Sequence, residues 1–224
     1  LEWTFCVIEN TLYMYRQGGG SVYTVKPTSY ALGNPVENFA PSFLNMSGQM
    51  GIFRANGRLG FWDSANSVSW SSLFSFSDFT PSVETLAGFA IFNDILGRIV
   101  TIKSHGSGFI IYSTKNIVGV SYEATGSVLF SARTIAEVAG IWTSKQVCSG
   151  AVDTEQFAYT NTGIKHISAG FKIEDIFPGV YDFLKESREP VYMDFLNGRY
   201  LFLSLINPDY ISGKVSFKIL ASGT

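Results

Sequence analysis

One rhythm constrains this chain more than any other feature. Short apolar or alternating runs, each closed by Gly, Asn, Ser or Asp, recur from end to end, and sustained helical spacing is scarce. Alternation puts every second side chain on one face of a strand, so such runs become stable only by pairing and stacking with others. The runs come in groups. Aligned at Phe5, Ile52, Ile99, Ile141 and Tyr192, the groups are separated by about 47, 47, 42 and 51 residues, near the ~40–50-residue period of four-stranded propeller blades. The expectation is one all-β, β-propeller-like domain over residues 1–224 with about five blade units, closed or incomplete. A β-sandwich of similar size would also show many short strands.

Within the first group, Trp3–Ile8, Leu12–Arg16 and Ser21–Val25 read as strands, with a turn at Gln17-Gly18-Gly19-Gly20. That glycine tract lacks the Lys-Ser/Thr and following helix of a phosphate cradle. Residues 26–46 contain Pro and Asn and read as a surface loop. Asn56-Gly57 and Asn197-Gly198 each sit between alternating runs and predict two hairpins, because both residue types tolerate positive φ. In the middle, Leu96–Ile102, Gly108–Tyr112, Asn116–Val120 and Val128–Phe130 read as strands, followed by Ala139–Trp142, Gln146–Cys148, Phe157–Thr160 and Ile164–Ile167. One helix is expected, at 172–187, from the spacing of Ile173, Ile176, Phe177, Val180, Tyr181 and Leu184, split near Pro178 and inserted between the last two units.

Composition narrows the function classes. Of the 224 residues, 46% are hydrophobic and 15% aromatic, which supports a large core and excludes a disordered chain. Only 15% are charged, against a usual ~25%, and the formal net charge is −2, so no basic surface for gripping nucleic acid is present. The longest apolar stretches, such as Gly88–Ile95, broken by Asn93 and Asp94, fall far short of the ~20 residues that span a bilayer. No membrane insertion is expected. Leu1-Glu2-Trp3-Thr4 resembles neither an initiator Met nor a signal peptide, and the chain reads as part of a longer or processed polypeptide. Cys6 and Cys148 read as buried free thiols.

Catalytic chemistry finds little support. His105 sits in a turn-like composition and His166 in a strand, and neither accompanies a Gly-x-Ser-x-Gly elbow. Paired Cys or His spacings for a metal are absent, and Asp153-Thr154-Glu155 lacks the ladder of a calcium loop. Asp63, Asp78, Asp94, Asp153, Glu155 and Asp194 lie near strand ends, where two could oppose each other as in a glycosidase. Asn45-Met46-Ser47 matches a glycosylation triplet. Trp62, Trp70 and Trp142 could stack on sugars if they stand at blade tips. The expectation is therefore no catalytic residue, no cofactor and no metal. A lectin-like or receptor-binding propeller is the alternative, and a propeller glycosidase the third reading.

A longer segment carries a resemblance. Arg58-Leu59-Gly60-Phe61-Trp62-Asp63, Val68-Ser69-Trp70-Ser71-Ser72, Asp78-Phe79-Thr80-Pro81-Ser82 and Thr85-Leu86-Ala87-Gly88 occur in succession. With Gly97–Ile102 and Gly108–Val118, this succession resembles propeller-type virion proteins of tailed bacteriophages, over about Gln49 to Ser168. The resemblance implies a tail-associated structural protein of nozzle or hub type, partnered by copies of itself and by other tail proteins, and located in the virion. It carries over no catalytic residue. A low charge and abundant aromatics suit such permanent contacts, and a slightly acidic ring would let DNA pass without binding it.

Overall fold

The computed structural model describes residues 2–26, 37–42, 48–123, 129–185, 192–196, 199–209 and 214–223. The expected turn at Asn197-Gly198, the triplet Asn45-Met46-Ser47 and the end of the expected helix at Ser187 lie outside them. Among the described residues, five antiparallel sheets follow one another along the chain, each a meander of consecutive strands. The first holds β1 (Trp3–Ile8), β2 (Thr11–Arg16), β3 (Val22–Val25) and β4 (Glu37–Phe39). The second holds β5 (Gln49–Ala55), β6 (Arg58–Asp63), β7 (Ser67–Trp70) and β8 (Gly88–Ile91). The third is β9 (Ile99–His105), β10 (Gly108–Ser113), β11 (Ile117–Tyr122) and β12 (Phe130–Ala136). The fourth is β13 (Val147–Ser149), β14 (Gln156–Thr160), β15 (Gly163–Ser168) and β16 (Lys172–Ile176). Helix α1 (Pro178–Lys185) leads to the last sheet, of β17 (Tyr192–Leu196), β18 (Arg199–Asp209) and β19 (Lys214–Gly223).

Local chemistry explains the hairpins. Asn56 and Gly57 sit at φ 45° and 74°, and Ala55 pairs with Arg58, so the two-residue turn twists with its strands as the sequence predicts. Gly60 is required for another reason. The Phe53 ring lies across it, and a Cβ there would stand 2.4 Å from Phe53 Cζ.

The sheets stack face on face. Ile8, Tyr13, Tyr15 and Val22 of the first meet Ile52, Leu59 and Phe61 of the second. The opposite face of the second, with Phe53, Trp62 and Trp70, meets Ile102, Phe109, Ile111 and Phe130 of the third. Ile110, Tyr112 and Ile117 turn the other way, onto Val147, Ala158 and Ile167. Cys148, Phe157 and Ile164 then meet α1 and Met193. Burial on both faces accounts for unbroken apolar runs such as Phe109-Ile110-Ile111-Tyr112, which alternation alone would not produce.

Four expectations need correction. Residues 26–46 are not only surface loop, since β4 lies within them and pairs with β3. The expected helix over 172–187 begins as a strand. Lys172–Ile176 is β16, placing Glu174 opposite His166 and Asp175 opposite Lys165, and helix starts only at Pro178, whose fixed φ suits a first helical position. Ala139–Trp142 is a connector instead of a strand, buried at Ala139–Ile141, with the Ala139 and Ile141 amides donating to Lys115 and Ser113 carbonyls. The fourth unit therefore starts at Val147, and the five first strands begin at Trp3, Gln49, Ile99, Val147 and Tyr192, a repeat of about 45 to 50 residues. His105, finally, ends β9 and is buried, where its neighbours suggested a turn.

Candidate functional site

The first strands of neighbouring sheets lie beside one another, β1 by β5, β5 by β9 and β13 by β17. Between them is a cavity of about 510 Å³, lined from β1, β5 and β9 and from Ser149–Asp153. The hairpin turns that follow these strands converge at one end. Ile8, Glu9, Asn56, Gly57 and Gly106 surround a mouth of about 320 Å³, and Arg54 and Asp153 border both spaces.

Few charged groups line the cavity. Arg54 Nη2 stands 3.5 Å from Asp153 Oδ2, a partly exposed pair that contributes little stability. Lys103 lines the wall, and burial lowers its pKa. The Cys6 thiol is pushed up to about 12 by burial, so it is protonated at neutral pH and is no nucleophile. Behind the wall a hydrogen-bond chain ties three sheets together. Tyr112 Oη donates to Gln156 Oε1 at 2.7 Å, Gln156 Nε2 to the Ser104 carbonyl at 2.6 Å, and Ser104 Oγ to the Arg54 carbonyl at 2.9 Å. Such a chain holds the cavity's shape and offers no acid–base pair.

The residues singled out in the sequence are dispersed. His105 is stacked on Phe171 with centroids 4.9 Å apart, and its Nε2 faces the Ser168 carbonyl at 3.1 Å. Burial lowers its pKa and keeps the ring neutral. His166 lies in β15, as the sequence indicates, with Nδ1 2.7 Å from Glu174 Oε1 and Nε2 3.2 Å from Glu155 Oε1. Asp63 caps its own turn by accepting from the Ala65 and Ser67 amides, and Asp78 accepts from Thr80. Of the six carboxylates weighed for glycoside cleavage, Asp153 alone lines this cavity, where Arg54 faces it. Trp62 and Trp70 are buried in the second sheet, while Trp142 is 70% exposed. Cys148 is buried, and its thiol is raised to about 12. Among the described residues, no three His, Cys, Asp or Glu side chains group closely enough to hold a metal ion.

The Glu174 contact gives a pH prediction. Its carboxyl is held below the ordinary glutamate value chiefly by the hydrogen bond from His166. A depressed folded-state pKa contributes stability above the unfolded value, and that contribution is lost as pH falls through the folded value. The carboxyl carbon of Glu174 should titrate below 4.5 by NMR, and His166→Ala should return it towards 4.5.

Two features were missed by the sequence reading. Arg58 is fully buried in β6, and Trp3, Phe5 and Val7 on one face of β1 are each about half exposed. The second left a signal. The β1 sequence Trp-Thr-Phe-Cys-Val-Ile is apolar at both parities, which a strand covered on one side does not need.

Searches of the sequence against protein families and curated proteins give no match. The fold does have relatives among solved structures. The dihydro-heme d1 dehydrogenase NirN is similar with a TM-score of 0.50 and 11% identity, over 97% of this chain and 46% of that one. A structure of a nidogen/laminin complex gives 0.51 and 8%, over 91% and 71%. Apo AztD from Citrobacter koseri gives 0.52 and 9%, over 95% and 70%. The chain thus spans about half of the NirN structure. At these identities the likeness concerns fold alone, and the fold is β-propeller-like.

Proposed function

We propose that this chain is a non-enzymatic structural component of a tailed-phage virion, a propeller-like body of five units that works by contact with copies of itself and other tail proteins. The observation that carries this reading is the apolar surface. Phe5, Val7, Phe74, Val83, Phe89 and Ile91 are each more than half exposed, in a chain with only 15% charged residues. A monomer rarely leaves that much aromatic and aliphatic surface in water unless something covers it. The succession from Arg58 to Val118 that resembles phage virion propellers supports the same reading, as does a cavity whose one lining carboxylate faces a guanidinium. With a net charge of −2, an axial assembly of such chains would pass DNA without retaining it. Electron microscopy of the native particle tests the proposal. Copies arranged around a tail axis are the expected result, and absence of the chain from purified particles would refute it.

The sugar-binding alternative keeps one supporting observation, the exposed indole of Trp142. Quenching of its fluorescence by saccharides would favour that reading.

A further inference from the structure

The interface between the third and fourth sheets holds open a space that the interface before it fills. Hairpin register identifies the corresponding positions. Ala55 pairs with Arg58 as His105 does with Gly108, and Gly60 pairs with Trp70 as Ile110 does with Gly119. In the second sheet the Arg58 guanidinium carbon lies 5.8 Å from the centre of the Tyr122 ring, and Trp70 packs on Phe130 at 4.9 Å, both across the interface with the third sheet. In the third sheet the same two positions are Gly108 and Gly119, and the next pair on that face is Ser121 with Ser131. Phe171, from the turn between β15 and β16, fills the hollow over Gly119, where a Cβ would stand 2.8 Å from its ring. Beside Phe171 a cavity of about 590 Å³ remains, within the ~300–1,000 Å³ of small-molecule sites.

The walls of this cavity are polar. Ser107, Ser121, Glu123, Ser131, Arg133 and Thr154 line it, with His105 and Phe171 on one side. Several of these groups are held in place. Ser131 Oγ donates to Glu123 Oε1 at 2.5 Å, and Arg133 Nη2 donates to the Gly170 carbonyl at 2.7 Å. Phe171 keeps a left-handed φ of 58°, strained for an aromatic residue, with the His105 ring stacked on it at 4.9 Å and the Arg133 guanidinium carbon 5.7 Å from its centre. His105 is only 4% exposed, and its Nδ1 has no hydrogen-bond partner, so this wall carries a polar group that the protein itself leaves unsatisfied. The second oxygen of Glu123 and the other N–H groups of Arg133 have no partner among the described residues.

We propose that this groove binds a neutral saccharide unit, held by hydrogen bonds to Glu123, Arg133 and the serine hydroxyls. The chemistry selects the class. Among the described lining residues, one guanidinium and one carboxylate are the charged groups, so an anion would face Glu123 and a cation would face Arg133. An apolar ligand would strip water from both without replacing it. A sugar's neighbouring hydroxyls donate and accept together, which suits a carboxylate that accepts, a guanidinium that donates and hydroxyls that do either. The site goes beyond the structural reading of the protein and does not depend on it, and Trp142 does not line it.

Saturation-transfer NMR of the purified chain with maltose, lactose, mannobiose and diacetylchitobiose, each at about 10 mM, tests this. At least one should bind with a dissociation constant on the order of 1 mM, and the amides of Gly106, Gly108 and Gly170 should shift as it does. Glu123→Ala and Arg133→Ala should each weaken binding about tenfold or more. Both side chains are exposed, so the variants should fold, and unchanged circular dichroism would confirm that. Trp142→Ala should leave binding unchanged. Binding that Trp142→Ala abolishes and Glu123→Ala spares would overturn the assignment to this groove. Displacement of the sugar by inorganic phosphate at about 10 mM would overturn its class, and no binding by any of the four disaccharides would overturn the proposal outright.

Discussion

Phe109→Ala should lower the stability of the protein by about 3–5 kcal/mol in chemical denaturation, with a fall in melting temperature of roughly 10 °C. The ring is completely buried where the second and third sheets meet. Phe53 lies 4.8 Å from it, Phe130 5.2 Å and Phe92 6.5 Å, and Trp70 packs on Phe130 at 4.9 Å. Removing the central ring leaves a cavity whose walls are other rings, and these are anchored on two different sheets. They cannot close over the gap without moving a strand. Phe89→Ala is the control. Phe89 is mostly exposed on β8, and its loss should cost no more than ~0.5 kcal/mol. Equal losses for the two substitutions would show that the interface between these sheets is not a principal core.

Arg58→Met should have the opposite sign and stabilise the protein, by about 1–4 kcal/mol. Arg58 is fully buried at the start of β6, yet its Nε and Nη2 have no hydrogen-bond partner. Nη1 donates to the Asn56 carbonyl at 3.3 Å, and the guanidinium carbon lies 5.8 Å from the centre of the Tyr122 ring. Burial pulls the guanidinium pKa down, with Tyr122 acting the other way. A single carbonyl bond and the interaction with Tyr122 are outweighed by the desolvation of the cation, the largest influence on Arg58. Met keeps the length and flexibility of the aliphatic stem and removes the charge. Urea denaturation of the two proteins checks this, and a destabilised Arg58→Met would mean that the guanidinium is better compensated than its neighbours indicate.

The parts of this fold that the sequence made legible are those where one local rule decides. Trp3–Ile8 was readable to the residue, and Asn56-Gly57 named its own turn. The third sheet was clear because Gly, Ser and Asn separate uninterrupted apolar runs. The failures share a cause of another kind. Ile173 and Ile176 fit a helical face and a strand equally well over so short a span, and the decision came from Glu174 and Asp175 meeting His166 and Lys165 across the ladder. Ala139–Ile141 is apolar because it is buried, although it forms no strand of its own. Nothing along the chain distinguishes Arg58 from an exposed arginine that follows an Asn-Gly turn. The cavity was not legible in the sequence, since its lining comes from residues far apart along the chain, such as Cys6, Arg54, Lys103 and Asp153.

Each sheet is made of consecutive strands and shares its core with the sheet that follows it in sequence. Strand pairing therefore closes mostly short loops, the connection 71–87 between β7 and β8 being the longer exception, and each sheet can be buried by its neighbour in sequence. On a ribosome, this layout lets each sheet settle onto its predecessor as soon as its strands have emerged. Synthesis then covers the first, second and third sheets in turn, each by the sheet that follows it in the chain.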